Sequence, residues 1–472
     1  MHDINDHPSI EADVIIVGAG FAGITAAREL KAAGKTVALL EARSRLGGRS
    51  FSKPIGDGKF VELGCEFYGQ PGTISHRAAQ SVGIGSAKVY DTGYRLVDDG
   101  GKINRWKGMA PKVSPASLVD FGQAALRIER MRREVPQDAP WEAPHAKQWD
   151  SETMWSWTQR NVRTKGGRAL MRLMIEAGMA AAPADVSLLH VLNYSNGTGG
   201  FRAMTTITGG TLENRFVGGS QNLALKLAET VDDETYIGAE VTHVRHSADS
   251  VRVSGPGFEA VGRYLVMAVP IPLASRIDYD PPLPEHRDHV SQRLTMGAAI
   301  KYMALYDEPF WRADGLTGHV ISPNSPVRAT VDSCPPDGTP GVLTSFVTGP
   351  AARQVAKLPA GERRALILRE LERFFGPRAA KPYDLIEQNW MAEQFTRGCY
   401  HAYAPPGLYT EYGPALKQPV GRIHWAGAES VPHEFGSMSG AIYSGRRVTT
   451  EIIGRETGEP QKVSAASDDP TR

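Results

Sequence analysis

Residues 13–43, DVIIVGAGFAGITAARELKAAGKTVALLEAR, constrain the fold more than any other stretch of this 472-residue chain. DVIIVG has the apolar run of a buried strand, and AGITAARELKAAG repeats apolar residues at helical spacing until Gly34 stops it. TVALLE then reads as a second strand, so the stretch is a βαβ unit of the usual length. Gly18, Gly20 and Gly23 form G-x-G-x-x-G between the first strand and the helix. In that pattern the first glycine permits a tight turn, the second lets the backbone approach a pyrophosphate, and the third allows close helix–strand packing. The helix N-terminus adds unpaired amides and a positive dipole end. Glu41 closes the second strand where an acid can accept hydrogen bonds from ribose hydroxyls. A dinucleotide site is expected.

Composition excludes more than it selects. The chain is too long for one growing core, so at least two domains are expected. A formal net charge of +1 gives no reason to expect nucleic acid or an acidic membrane surface as partner. Three cysteines without C-x-x-C spacing oppose a disulfide framework or structural zinc, and the thirteen histidines form no metal pattern, so no metal is expected. The polar, acidic start MHDINDHPSIEA lacks the form of a signal peptide, and no apolar run is long enough to span a bilayer. The expectation is a cytoplasmic protein without a membrane anchor.

Beyond Glu41 the sequence continues EARSRLGGRS, with Arg43, Gly47, Gly48 and Arg49 extending the same edge with small and cationic residues. This stretch resembles the second glycine motif of the flavin monoamine oxidase family. The resemblance spreads over nearly the whole chain: FVGGSQNLALKLAE (216–229), RYLVMAVP with DYDPPLP, IKYMALYDEPFWR (300–312), and IHWAGAES with the helix after it. It implies FAD as cofactor and an α/β plus α+β fold, in which a Rossmann-type domain is interleaved with a substrate domain of mixed sheet and helices. The FAD-binding domain would take residues 10–84, 216–289 and 392–456, and the substrate-binding domain 85–215 and 290–391. Residues 1–9 and 457–472 are expected to be flexible. Helices are expected at 120–135, 166–181 and 360–376.

The resemblance also assigns residues. Lys301 would hold a water at flavin N5 and assist oxygen reactivity; read alone, a lysine inside GAAIKYMALY is more simply an outward-facing surface residue. Tyr400 would be the first of two aromatic rings flanking the amine. Val241, Trp390, Glu429 and Met438 join the glycines, Glu41, Arg43 and Arg49 as cofactor contacts, Glu429 at the ribityl chain and Met438 at the flavin N1–C2=O edge. Cys399, in RGCYHAY, stands where monoamine oxidases form a thioether to FAD and where putrescine oxidases carry alanine. A small-molecule amine would be oxidised and O2 would be the acceptor; a homodimer stays open.

Two departures stand out. Ser437, in HEFGS, occupies the place of the second ring, leaving Phe435 as a candidate replacement. Glu66, followed by Phe67 in ELGCEFYG, stands where relatives are neutral; it would either anchor a second cationic group in the substrate pocket or face solvent. Arg328 stands near the expected distal carboxylate of diamine oxidases and could read a substrate carboxylate instead. Oxidation of an amino acid, polyamine or cyclic amine on this scaffold remains an alternative, as does a flavin-binding regulator without activity.

Overall fold

The structure, a computed structural model, describes residues 1–108, 110–431 and 434–458. The βαβ unit forms as β1 (Ser9–Val17), α1 (Phe21–Ala32) and β2 (Val37–Glu41). Side chains on β1 alternate between two cores: Val14 and Ile16 pack with Ile24 and Leu30 of α1, while Ile15 and Val17 pack with Leu265, Met267 and Trp425. The strand is covered on both faces, which is why its sequence is a continuous apolar run.

The sheet is completed from far along the chain. Phe258–Met267 runs parallel to β1 with Met267 beside Val17, and Ile423–Trp425 runs parallel to it in turn. Thr235–Ile237 lies parallel on the outer side of β2, and Val251–Gly255 and His243–His246 extend the other side antiparallel. Val17, Glu41, Met267 and Trp425 therefore end four parallel strands at one edge, the edge where open α/β sheets bind ligands. The helix Met438–Thr457 packs on α1 at Gly445, whose added Cβ would meet the Ala22 carbonyl oxygen at 2.5 Å.

The second large sheet has seven strands, in the order 384–389, 299–306, 341–348, 327–332, 316–321, 94–99 and 102–106. All eight residues of Ala299–Tyr306 are buried. Ile300, Tyr302 and Ala304 face a core shared with Ile367, Leu371 and Phe374 of helix Ala360–Phe375, while Met303 and Leu305 face Val61 and Leu63. Lys301 belongs to the second face, turned toward the nucleotide unit. The solvent-facing reading of this lysine fails because the strand has no solvent face.

The two middle helices begin and end earlier than expected, at Pro115–Arg132 and Lys165–Met179. The second is started by Thr164, whose hydroxyl accepts from the Gly167 amide at 3.1 Å. The N-terminus differs from the flexible segment expected. His2 and Asp3 pair with Tyr236 and Ile237, and the Met1 amino group meets Asp232 at 2.8 Å. Thr457 still belongs to the last helix, and the expected flexible stretch from 459 to 472 lies outside the described residues.

Candidate active site

A single cavity of about 1850 Å³ runs from the four strand ends into the space below the second sheet. Its nucleotide end is made of main chain. Gly18 has φ +103°, and a Cβ on Gly23 would lie 1.9 Å from the Gly18 oxygen, so both positions admit only glycine without rearrangement. A Cβ on Gly20 would meet nothing within 4 Å, because this residue faces the cavity. Gly20 caps α1 with no side-chain bond, leaving the first-turn amides without a partner inside the helix. Gly47 and Gly48 also take positive φ, and Gly48 approaches the Gly20 Cα so closely that a Cβ would stand 3.3 Å away.

Glu41 accepts from the Ala19 amide at 2.9 Å and the Arg43 amide at 3.0 Å. A carboxylate has about four acceptor positions, so capacity remains for hydroxyls. Arg43 donates to the Thr396 hydroxyl at 2.6 Å, and Val241 lines the same end. A cradle of glycines, free helix amides and an acid one strand away fits a dinucleotide, with Gly20 offering open space where a side chain would block it.

Toward the other end, charged side chains take over. Arg49 makes a two-pronged pair with Glu429, one contact at 2.9 Å, and donates to the Tyr400 oxygen at 3.0 Å. Glu429 is 1% exposed. Burial pushes its carboxyl upward, but Arg49, helped by His401 and the Ala402 amide, holds it below the usual range. Trp390 donates its indole N–H to the Leu63 oxygen at 2.8 Å, and Met438 begins the last helix at the cavity wall.

Lys301 is 3% exposed, and its Nζ contacts three acceptors: the Glu62 oxygen at 2.7 Å, the Gly64 oxygen at 3.0 Å and Glu66 Oε2 at 3.0 Å. It also lies 5.4 Å from the centre of the Phe346 ring, its direct cross-strand neighbour. Phe346 in turn meets Tyr400 edge-on at 6.3 Å. Burial shifts the Tyr400 hydroxyl far upward, so it stays protonated. Glu66 does not face solvent: at 4% exposure it pairs with Lys301 and, at 3.3 Å, with Arg215. Its one negative charge is thus shared between two cations, one on each oxygen. Arg328 is likewise committed, to Glu176 at 2.7 Å, and stands outside the cavity wall.

Ser437 brings no ring, and both it and Phe435 line the cavity. The Ser437 hydroxyl caps the last helix, accepting from the Gly440 amide at 2.9 Å and donating to the Glu434 oxygen at 2.8 Å. Phe435 is 2% exposed, with its ring edge-on to His190 at 5.0 Å and His401 at 5.6 Å. The sequence reading missed Tyr194, which lines the cavity and packs on His401 at 4.7 Å. It also missed Phe346, recoverable only from its register opposite Lys301. Phe67 lines the cavity beside Tyr400 and Phe346.

Cys399 lines the cavity, 7% exposed, with its sulfur 3.6 Å from the Tyr400 oxygen. Burial pushes its thiol up to about 12, although Arg49 pulls the other way. Cys65 stands on the same wall, also pushed up by burial, to about 11.

A nucleotide cradle opening onto a buried lysine and an aromatic pocket is the arrangement expected of a dinucleotide-dependent oxidoreductase. Residues 21–453 match the model of the flavin containing amine oxidoreductases, and the chain belongs to that family. It is 33% identical over 448 residues to the flavin-containing amine oxidase B of Canis lupus familiaris, covering 94% of this chain and 86% of that one. A putative flavin-containing monoamine oxidase of Mycobacterium tuberculosis is also 33% identical, over 94% of this chain and 97% of its own. Wild-type putrescine oxidase bound to putrescine superposes with a TM-score of 0.91 at 29% identity, over 95% of this chain and 100% of that one. Cyclohexylamine oxidase from Brevibacterium oxydans gives 0.89 at 27%, over the same shares. The protein is therefore an FAD-dependent amine oxidase. No helix among the described residues is long and apolar enough to cross a membrane.

Proposed function

We propose that the enzyme oxidises monoamines with an apolar body and passes the electrons to O2, yielding hydrogen peroxide and an imine that water converts to aldehyde and ammonia. FAD, when bound, supplies the two-electron acceptor for the carbon–nitrogen bond. The glycine turns and the first amides of α1 would hold its pyrophosphate, Glu41 a ribose, and Arg49, Trp390, Glu429 and Met438 the parts reaching inward. Tyr400 and Phe346 wall the place where the amine would lie, and their low polarity favours the neutral amine that oxidation requires.

The observation that carries this reading is how the cavity spends its carboxylates. Glu66 holds Lys301 and Arg215, Asp91 holds Arg95, and Glu429 holds Arg49. Phe121, Leu170, Met174, Tyr194, Ile207 and Phe346 supply apolar or aromatic wall around the substrate space. Peroxide release across a panel of arylalkyl, cycloalkyl and aliphatic monoamines, diamines and amino acids tests the reading. A higher kcat/KM for monoamines is expected; a preference for diamines overturns it. One observation favours that second outcome. Glu434 lines the cavity next to Ser437 and has no cation partner among the described residues, so a distal ammonium could be received there.

Attachment of FAD through a Cys399 thioether is part of the same proposal. Its support is the position of the sulfur on the cavity wall; the raised thiol opposes it, since the thiolate is the nucleophile. Intact mass after denaturation decides, with one added FAD expected and its absence refuting the linkage.

A further inference from the structure

We propose that Glu66 is the positioning residue of Lys301, holding the ammonium against the 62–64 segment and, with Arg215, setting the net charge that faces the flavin. This rests on the amine-oxidase reading. An ammonium has three N–H donors. All three are taken, by the Glu62 oxygen at 2.7 Å, the Gly64 oxygen at 3.0 Å and Glu66 Oε2 at 3.0 Å. The two carbonyls belong to the strand end that runs into the cavity wall at Gly64 and Cys65, so they fix where Nζ sits. Glu66 is the only one of the three that is charged.

The energetics explain why a carboxylate is needed. Burying an ion costs several kcal/mol even after relaxation, and backbone carbonyls alone repay little of it. Lys301 and Glu66 have side chains only 4% and 2% exposed, so their pairing is unscreened by water. Arg215 brings a second cation to the other oxygen of Glu66, at 3.3 Å, and also donates to the Cys334 oxygen. Two cations around one carboxylate leave a single positive charge. Removing Glu66 would leave two, and Lys301 would have a donor to turn elsewhere. The single negative charge of Glu66 already faces two cations, Lys301 and Arg215, so a third cation from a substrate would gain little there.

The test uses Glu66→Gln holoenzyme and two readings. The midpoint potential of bound FAD, titrated with a chemical reductant, shifts to more positive values, because a buried negative charge beside the flavin has been removed. Reoxidation of the amine-reduced enzyme by O2 slows roughly 10- to 100-fold, the scale expected when a reactive group is misplaced by about 1 Å. The Kd for the amine stays unchanged. In the double variant Glu66→Gln/Arg215→Gln the single positive charge is restored while the clamp stays absent. Its potential returns toward wild type, and its reoxidation stays slow. In a Lys301→Met background Glu66→Gln adds no further slowing.

A Glu66→Gln enzyme with wild-type potential and reoxidation rate, differing only in melting temperature, overturns the proposal. So does an undiminished effect in the Lys301→Met background. If Glu66→Gln alone yields no soluble protein, the double variant decides through reoxidation: slow reoxidation at a near-wild-type potential supports the proposal, and reoxidation at the wild-type rate overturns it. Chemical reduction needs no amine, so a protein that no amine reduces would refute the functional reading while leaving the potential measurement to judge Glu66.

Discussion

At the nucleotide end of the cavity the walls are main chain, drawn mostly from residues 17–50; at the lysine end they are side chains drawn from across the chain. Gly18, Gly20, Gly23, Gly47 and Gly48 act by what they lack, and all five lie within residues 18–48. Lys301, Glu66, Arg215, Phe346, Trp390 and Tyr400 act by what they carry, and they meet only in the tertiary fold, from segments far apart in the chain. At Gly18 and Gly23 the first end has no room for an added carbon. The second is a balance of charges and rings in which partners can be exchanged together.

That contrast predicts a ranking of damage. Gly23→Val should be the most severe change, since its first side-chain carbon already falls 1.9 Å from a backbone oxygen that cannot move aside. The expected outcome is protein that does not retain FAD, read from the flavin-to-protein absorbance ratio. A fully yellow variant would break the distinction between the two ends.

Arg49→Met comes next, because it strands Glu429, 1% exposed, without its cation. Breaking a buried pair on one side costs about 3–5 kcal/mol. Removing both charges, in Arg49→Met/Glu429→Leu, should cost less than Arg49→Met alone in denaturant unfolding, although FAD retention suffers in both. Equal losses would mean that the charges at this end are not exchangeable.

A smaller effect concerns pH. Burial raises the Glu62 carboxyl from its ordinary 4.5 to about 7, against hydrogen bonds from the Ser220 amide and Ser52 hydroxyl that pull it down. Between those values the folded protein binds the proton that the unfolded chain has released. Stability should therefore fall as pH rises from 4.5 to 7 and level off above, by on the order of 3 kcal/mol in total. Glu62→Gln should flatten this part of the curve, measured as the denaturation midpoint at pH 5 and pH 8. An unchanged slope would assign the dependence to another group.

Cys399→Ala is the mildest. It removes one small buried group and should shift stability by about 1 kcal/mol or less. The variant should bind FAD through an intact nucleotide end while its denatured mass shows none attached. A bound FAD that survives denaturation in this variant would point to another anchor, with Cys65 on the same wall the first to examine.

The same contrast explains what the sequence disclosed. The βαβ unit, its glycines and Glu41 were legible because strand, turn and helix lie within one short window and obey local rules. Lys301 was visible as an anomaly in an apolar strand, but its direction was not, because alternation cannot tell a solvent face from a second buried face. The fate of Glu66 was hidden for a related reason: its partners lie at 215 and 301, and no local pattern announces an ion pair between them. Ser437 was correctly seen as lacking a ring, yet its work as a helix cap shows only with the hydrogen bonds of the last helix. Tyr194, on a helix among many aromatics, gave no signal at all.

The strand Ile423–Trp425 carries one more consequence, for how the protein is made. It sits parallel beside Phe258–Met267, which sits beside β1, and the helix after it packs on α1 through Gly445. On the ribosome, the first forty residues must therefore wait for the last fifty before their sheet and its helix cover are complete. Contacts of such long sequence separation form slowly, and half-covered apolar strands are prone to aggregate. A chain cut before Ile423 should therefore not retain FAD, although its glycine turn is intact, because the neighbouring strand and the helix that covers α1 are missing.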